Sequence, residues 1–391
     1  MITFWLILAV FAAFFVAWNN GSNNAPNSIG TAVGARVLSV RRALFIATIV
    51  SFIGAMSLGI YVTDTVMRGI VNTIDMPKYI VVKGMIAVLF STGIWTLIST
   101  FLEIPMSVHV CIIGGIIGFG LTVDTLFISW TTIIKIMIAW IIVPITSAIL
   151  AYVLYRVFNK SFGDPNMAKI SVITSSYITI ATPTILTLIK TNTTSDIIFA
   201  LIITLTISTI ATIFVYYHWR NSVLARRDPL YEVSRILLIM AAAAMSFSFG
   251  ANDVANSAGP LAAIFYALGY GDISTSAWYA IIVSAIGLSA GIAMWGSKVI
   301  GTIGEKITPL SPSTAYVAQM AATLTMLVVS RLGLPVSTSM AIVGGVMGVG
   351  FSRGIKSINT RLISRIFGLW LIALPATMII AYVLTKLFIL V

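Results

Sequence analysis

Cysteine is almost absent from this chain. Cys111 stands alone, so there is no internal disulfide framework and no thiolate metal cluster. Histidine is nearly as scarce: His109 and His218 are the only two, too few for a histidine-based metal centre, and no transition-metal site is expected. Acidic residues number eleven, and no spacing among them gives a carboxylate pair, a metal-ligand set or a nucleophile with its base. An enzyme is therefore not expected, and no cofactor is implied. Charge of either sign is rare, at 9% of residues, which excludes an ordinary soluble surface.

What fills the chain instead is apolar. Hydrophobic residues make up 59% of it, and the mean hydropathy is +1.05. Runs such as 43–62, 196–219 and 363–391 are long enough to cross about 30 Å of hydrocarbon. They are continuous rather than alternating, which argues against a β-barrel. The expectation is an all-α polytopic membrane protein, multi-pass in the cell membrane. Candidate spans fall near 1–17, 43–62, 79–102, 131–155, 170–189, 196–218, 233–249, 277–295, 311–332 and 363–390. The first lacks a basic leader and a small-residue cleavage site, and reads as a retained helix. Segments 27–40 and 255–270 read as short helices. Segments 104–121 and 334–351 are too rich in glycine for ordinary spans and read as re-entrant hairpins.

The net charge of +12 sits in short loops rather than on one soluble face. It therefore sets orientation and meets anionic lipid; no nucleic acid is expected. The loops 156–169, 220–235 and 353–365 read as cytoplasmic. Arg41 and Arg42 land on the opposite side if 27–40 crosses separately, which counts against that crossing.

The chain repeats itself. "GSNNAPNSIG" (21–30) lies over "GANDVANSAG" (250–259) at an offset of 229, sharing G-x-N-[ND]-x-x-N-S-x-G. "PMSVHVCIIGGIIGFG" (105–120) lies over "PVSTSMAIVGGVMGVG" (335–350) at an offset of 230, and 59–70 lies more weakly over 296–307 at 237. Three matches in one order imply two related halves. The expected organisation is 1–155, a connector of two helices and a basic loop at 156–232, and 233–391. An odd number of crossings per half makes the halves inverted, an arrangement common among secondary transporters, each half holding a re-entrant hairpin and an Asn/Asp-rich helix break.

Carboxamides offer donors and acceptors and a carboxylate only acceptors, a set that suits an oxyanion together with a hard cation such as Na⁺. On that reading Asn23, Asn27, Asn252, Asp253 and Asn256 hold cations, while Asp253 and Asn24 help frame the anion. Ser107, Ser337, Thr338 and Ser339 precede helical segments, where free N–H groups attract phosphate-like anions. The plainer readings are helix capping for the asparagines and serines and close packing for the glycines.

These motifs resemble those of the inorganic phosphate transporter (PiT) family. "GANDVANSAGP" is similar to its signature, and residues 303–339 resemble the run into its second P-V-S-T-T-H motif. The resemblance covers nearly the whole chain. It implies symport of inorganic phosphate with Na⁺ or H⁺ by alternating access, with the anion at the hairpin tips and cations beside the Asn/Asp motifs. A second copy of the chain, as a homodimer, is a further expected partner. The first half departs from the pattern. Asn24 stands opposite Asp253, the first hairpin reads P-M-S-V-H-V with His109 one place early, and Met340 replaces a histidine in the second. That leaves cation identity open, and leaves sulfate or another oxyanion as an alternative cargo. An anion channel is the alternative of a different class.

Overall fold

The computed structural model describes residues 2–188, 194–300 and 306–390. Residues 301–305, within the weakest of the three internal matches, and 189–193, between the two connector helices, lie outside the described residues.

The described residues are helical, apart from short connections and one isolated bridge between Val71 and Ile128. In chain order the helices are α1 (Ile2–Gly34), α2 (Val40–Asp64), α3 (Lys78–Phe101), α4 (Val108–Val123), α5 (Trp130–Ser161), α6 (Pro165–Leu188) and α7 (Thr194–Leu224). They continue with α8 (Pro229–Asp253), α9 (Ala255–Leu268), α10 (Ile273–Trp295), α11 (Pro312–Arg331), α12 (Thr338–Arg353) and α13 (Thr360–Leu390). Among the described residues nine helical stretches are long and apolar enough to span a bilayer, α8 and α9 counting as one; α4 is shorter. The chain is a multi-pass integral membrane protein.

Local chemistry sets the helix starts. Asp228 caps α8 from the front of Pro229, accepting from the Leu230 and Tyr231 N–H groups. Ser311 and Thr314 close a reciprocal capping box on α11. Asp272 caps α10, and the Thr275 hydroxyl and N–H hold its carboxyl below the usual carboxylate range. Gly269, at φ +84°, ends α9 in the left-handed region that glycine enters without steric cost.

Three sequence expectations change here. The first Asn-rich stretch does not break its helix: α1 runs on to Gly34 with Pro26 inside it, and 27–40 is not a separate element. The polar side chains bond back along the helix, Asn19 to the Phe15 carbonyl, Ser22 to the Trp18 carbonyl and Asn24 to Asn20 Oδ1, so no backbone bond need open to satisfy them. In the second copy the interruption is a single residue, Val254, still at φ −57°, ψ −32°. Second, 104–121 and 334–351 are not hairpins in themselves. They hold the returning arms α4 and α12 of hairpins whose first arms are α3 and α11. Third, because α1 is one helix, the separate crossing of 27–40 that set Arg41 and Arg42 apart from the basic loops falls away.

The helices pack in matched pairs. Gly114 and Gly118 of α4 lie against the Leu374 and Met378 carbonyls of α13, and Gly344 and Gly348 of α12 lie against the Pro144 and Ala148 carbonyls of α5. A methyl group at any of the four would overlap a carbonyl oxygen, so these glycines serve close packing, the plainer of their two readings. Each contact has its counterpart 230 residues along. Gly21 likewise meets Leu288 as Gly250 meets Ser51.

Candidate functional site

The short linkers before α4 and α12 are irregular backbone in the middle of the protein, and irregular backbone needs partners when water is excluded. An asparagine from the matching motif supplies them in each half. Asn23 accepts from the Met106 N–H at 2.7 Å and donates to the Ile104 carbonyl at 3.2 Å and to the Thr100 hydroxyl at 2.9 Å. Asn252, its counterpart, donates to the Val336 carbonyl. Two indoles brace the same linkers from the opposite half. Trp370 donates to the Pro105 carbonyl at 3.2 Å and Trp140 to the Pro335 carbonyl at 3.3 Å.

The two linkers meet on the Asn/Asp cluster. Asn27 donates to Ser339 Oγ at 2.8 Å and to Thr338 Oγ1 at 3.3 Å. The single Ser339 hydroxyl hydrogen has two acceptors in reach, Asn24 Oδ1 at 3.1 Å and the Met106 carbonyl at 3.0 Å, which ties the second hairpin to the linker of the first. The reciprocal contact is made by His109, at the position matching Ser339. Its ring nitrogens lie 3.3 Å from Asn252 Nδ2 and 3.5 Å from Asn256 Nδ2. Asp253 receives Asn252 Nδ2 at 3.3 Å on one oxygen and Asn24 Nδ2 at 3.4 Å on the other, while Asn20 donates to its backbone carbonyl at 2.9 Å.

Every one of the ten residues expected at the site is buried to 2% exposure or less, so the cluster is closed to both sides. The structure brings Asn24, Asn27, Asn252, Asp253, Thr338 and Ser339 into one network, and His109 joins Asn256 to it. Ser107 and Ser337 do what the plain reading holds, capping α4 and α12 by accepting from the Val110 and Met340 N–H groups. Each hydroxyl keeps its own hydrogen for donation. Three buried carbonyl oxygens, Asn27 Oδ1, Asn252 Oδ1 and Asn256 Oδ1, have no hydrogen-bond partner. Acceptors left bare in a water-poor core are costly, and a hard cation satisfies them.

Sequence reasoning missed Asn20, Thr31, Gln319, Trp140 and Trp370. Thr31 donates to Gln319 Oε1 at 2.5 Å, and Gln319 donates to the Asn27 carbonyl at 3.4 Å, fixing the turn of α1 that carries Asn27. A glutamine in the middle of apolar α11 was a visible signal. So were the two tryptophans, which stand 230 residues apart like the prolines they brace.

The fold and this core define a polytopic helical membrane protein in which two hairpins converge on a buried polar cluster. Residues 20–381 match the phosphate transporter family, and the chain belongs to that family, one of transporters rather than enzymes. It is 34% identical to a putative phosphate permease of Haemophilus influenzae, with 98% of each chain covered. It is 29% identical to inorganic phosphate transporter 2-1, chloroplastic, of Arabidopsis thaliana, covering 96% of this chain and 70% of that one. A solved structure described as the sodium-dependent phosphate transporter superposes with a TM-score of 0.92 at 29% identity, covering 99% of both chains.

Proposed function

We propose that this protein carries inorganic phosphate across the membrane, driven by a Na⁺ gradient, through alternating access of two inverted halves. One observation carries the reading: hairpin tips from both halves meet on one buried cluster that pairs hydroxyl and N–H donors with a carboxylate and bare carbonyl oxygens. The names of the relatives supply the anion, and that of the superposed structure supplies the cation.

In this reading the halves are 1–155 and 233–391, joined by 156–232. The matched contacts of Trp140 on Pro335 and Trp370 on Pro105, and of Ser339 on Asn27 and His109 on Asn256, support the pairing. Ser107, Ser337, Thr338 and Ser339 donate hydroxyls to the phosphate oxygens, backed by the N-terminal turns of α4 and α12. Asp253 accepts the O–H of hydrogen phosphate, and Asn24 lies beside it. Asn23, Asn27, Asn252, Asp253 and Asn256 ligate the cation through oxygen, the donor a hard ion prefers.

The cargo and the coupling ion are tested together by uptake of radiolabelled phosphate into proteoliposomes under an imposed Na⁺ or H⁺ gradient, with excess cold sulfate as competitor. The reading expects accumulation that needs the Na⁺ gradient and ignores sulfate. Full competition by sulfate would move the cargo to the broader oxyanion class. Accumulation under a H⁺ gradient alone would replace the cation, and gradient-independent unitary currents would make the protein a channel.

A further inference from the structure

The site is sealed at both mouths, and the seals match. Helix α3 ends at Phe101 and α11 ends at Arg331, positions 230 apart at the tips of the two hairpins. Facing them are Lys298, just after α10, and Tyr61, near the end of α2, positions 237 apart in the register of the third internal match. The Arg331 guanidinium lies over the Tyr61 ring at 4.7 Å. The Lys298 ammonium lies over the Phe101 ring at 4.9 Å and the Trp295 ring at 4.2 Å. Each pair thus joins one hairpin tip to the helix beside its mouth, with cation and ring exchanging places between the copies.

Each seal has a second tie. At the Arg331 mouth the Thr65 hydroxyl donates to the Gly333 carbonyl at 2.8 Å. At the Lys298 mouth Lys306 pairs with Glu103 at 3.7 Å. The basic loops place the Lys298 mouth on the cytoplasmic side and the Arg331 mouth on the outer side. They differ in solvation: Tyr61 and Arg331 are half-buried, whereas Phe101 is 60% exposed and Lys298 is exposed. A cation over a ring holds more tightly when desolvated.

We propose that Arg331–Tyr61 and Lys298–Phe101 are the outer and inner latches of the transport cycle, opened in turn, with the inner the weaker. The four residues are positioning residues: they close the hairpin tips over the cargo without touching it. This inference rests on the alternating-access reading above, and its test is independent of the cargo.

The test places a reporter cysteine at Met106, buried in the first linker, in a Cys111→Ser background. Its labelling by a membrane-impermeant thiol reagent is measured from each face of oriented vesicles. Tyr61→Leu raises the outer-face rate about three- to thirtyfold, and Phe101→Leu raises the inner-face rate by a smaller factor, each leaving the other face unraised. Tyr61→Phe and Phe101→Tyr keep a ring and stay at the starting rate. Equal increases on both faces, no increase, or a ring-retaining variant that behaves like leucine would overturn the latches. Phosphate uptake by the reporter protein with both latches intact separates the claims: uptake there without side-specific labelling of the variants sinks the latches alone, and side-specific labelling with no uptake there sinks phosphate as cargo.

Discussion

The two halves of the core share a geometry and differ in chemistry. Asn23 and Asn252 each hold the linker of a hairpin, and Trp370 and Trp140 brace those linkers from across the molecule. Yet the second half carries Asp253 where the first carries Asn24, and the first carries His109 where the second carries Ser339. One carboxylate serves a cluster built on a twofold plan. The linker contacts are thus duplicated, while the carboxylate belongs to one copy.

Removing that charge breaks the comparison most severely. Asp253→Asn leaves the network's shape and takes away its carboxylate; hydrogen bonds to a charged group are worth about 1.5–3 kcal/mol, so gradient-driven uptake falls by roughly ten- to a hundredfold or more. Initial-rate uptake in proteoliposomes checks this. The indoles come next. Trp140→Phe and Trp370→Phe each strip a buried carbonyl of its donor, at about 1–3 kcal/mol, and the twofold plan requires the two losses to be similar. Unequal losses would show that one hairpin does most of the work, and a dose series of uptake against phosphate separates weaker binding from slower turnover. Of comparable size, on stability rather than uptake, Gly118→Ala and Gly348→Ala push a methyl into a carbonyl of α13 or α5. Each lowers thermal stability in detergent by about 1–3 kcal/mol and by similar amounts. The smallest effect sharpens the contrast. His109→Ser gives the first hairpin the hydroxyl of the second, and changes the apparent phosphate affinity by about two- to tenfold, the scale of one neutral hydrogen bond.

Much of this was legible beforehand because it rests on residue type at fixed spacing. The repeated asparagines, the hairpin serines and the glycine ladder stood in the sequence at constant offsets, and the structure packs them where two matched segments meet. Helix continuity was not legible. Asn19, Ser22 and Asn24 look like breakers in one dimension, but in space each satisfies itself one turn back along α1. The hairpins were half-read: α4 and α12 stood out by their glycines, whereas α3 and α11 carry the composition of ordinary spans. Gln319 and the two tryptophans went unnoticed because each acts across the halves, on a partner 190 or more residues away.

The central claim is that the halves are equivalent frames around one shared site, and moving the carboxylate tests it most directly. Na⁺-driven phosphate uptake is measured for Asp253→Asn alone and for Asp253→Asn combined with Asn24→Asp, with folding of both confirmed by thermal melting. If the frames are equivalent, the second substitution returns uptake to at least about a tenth of the starting rate, the rest reflecting His109 in place of Ser339. A well-folded exchange protein as inactive as Asp253→Asn would contradict the account: the carboxylate would then work only in the second half, and the twofold plan would be architecture without functional equivalence.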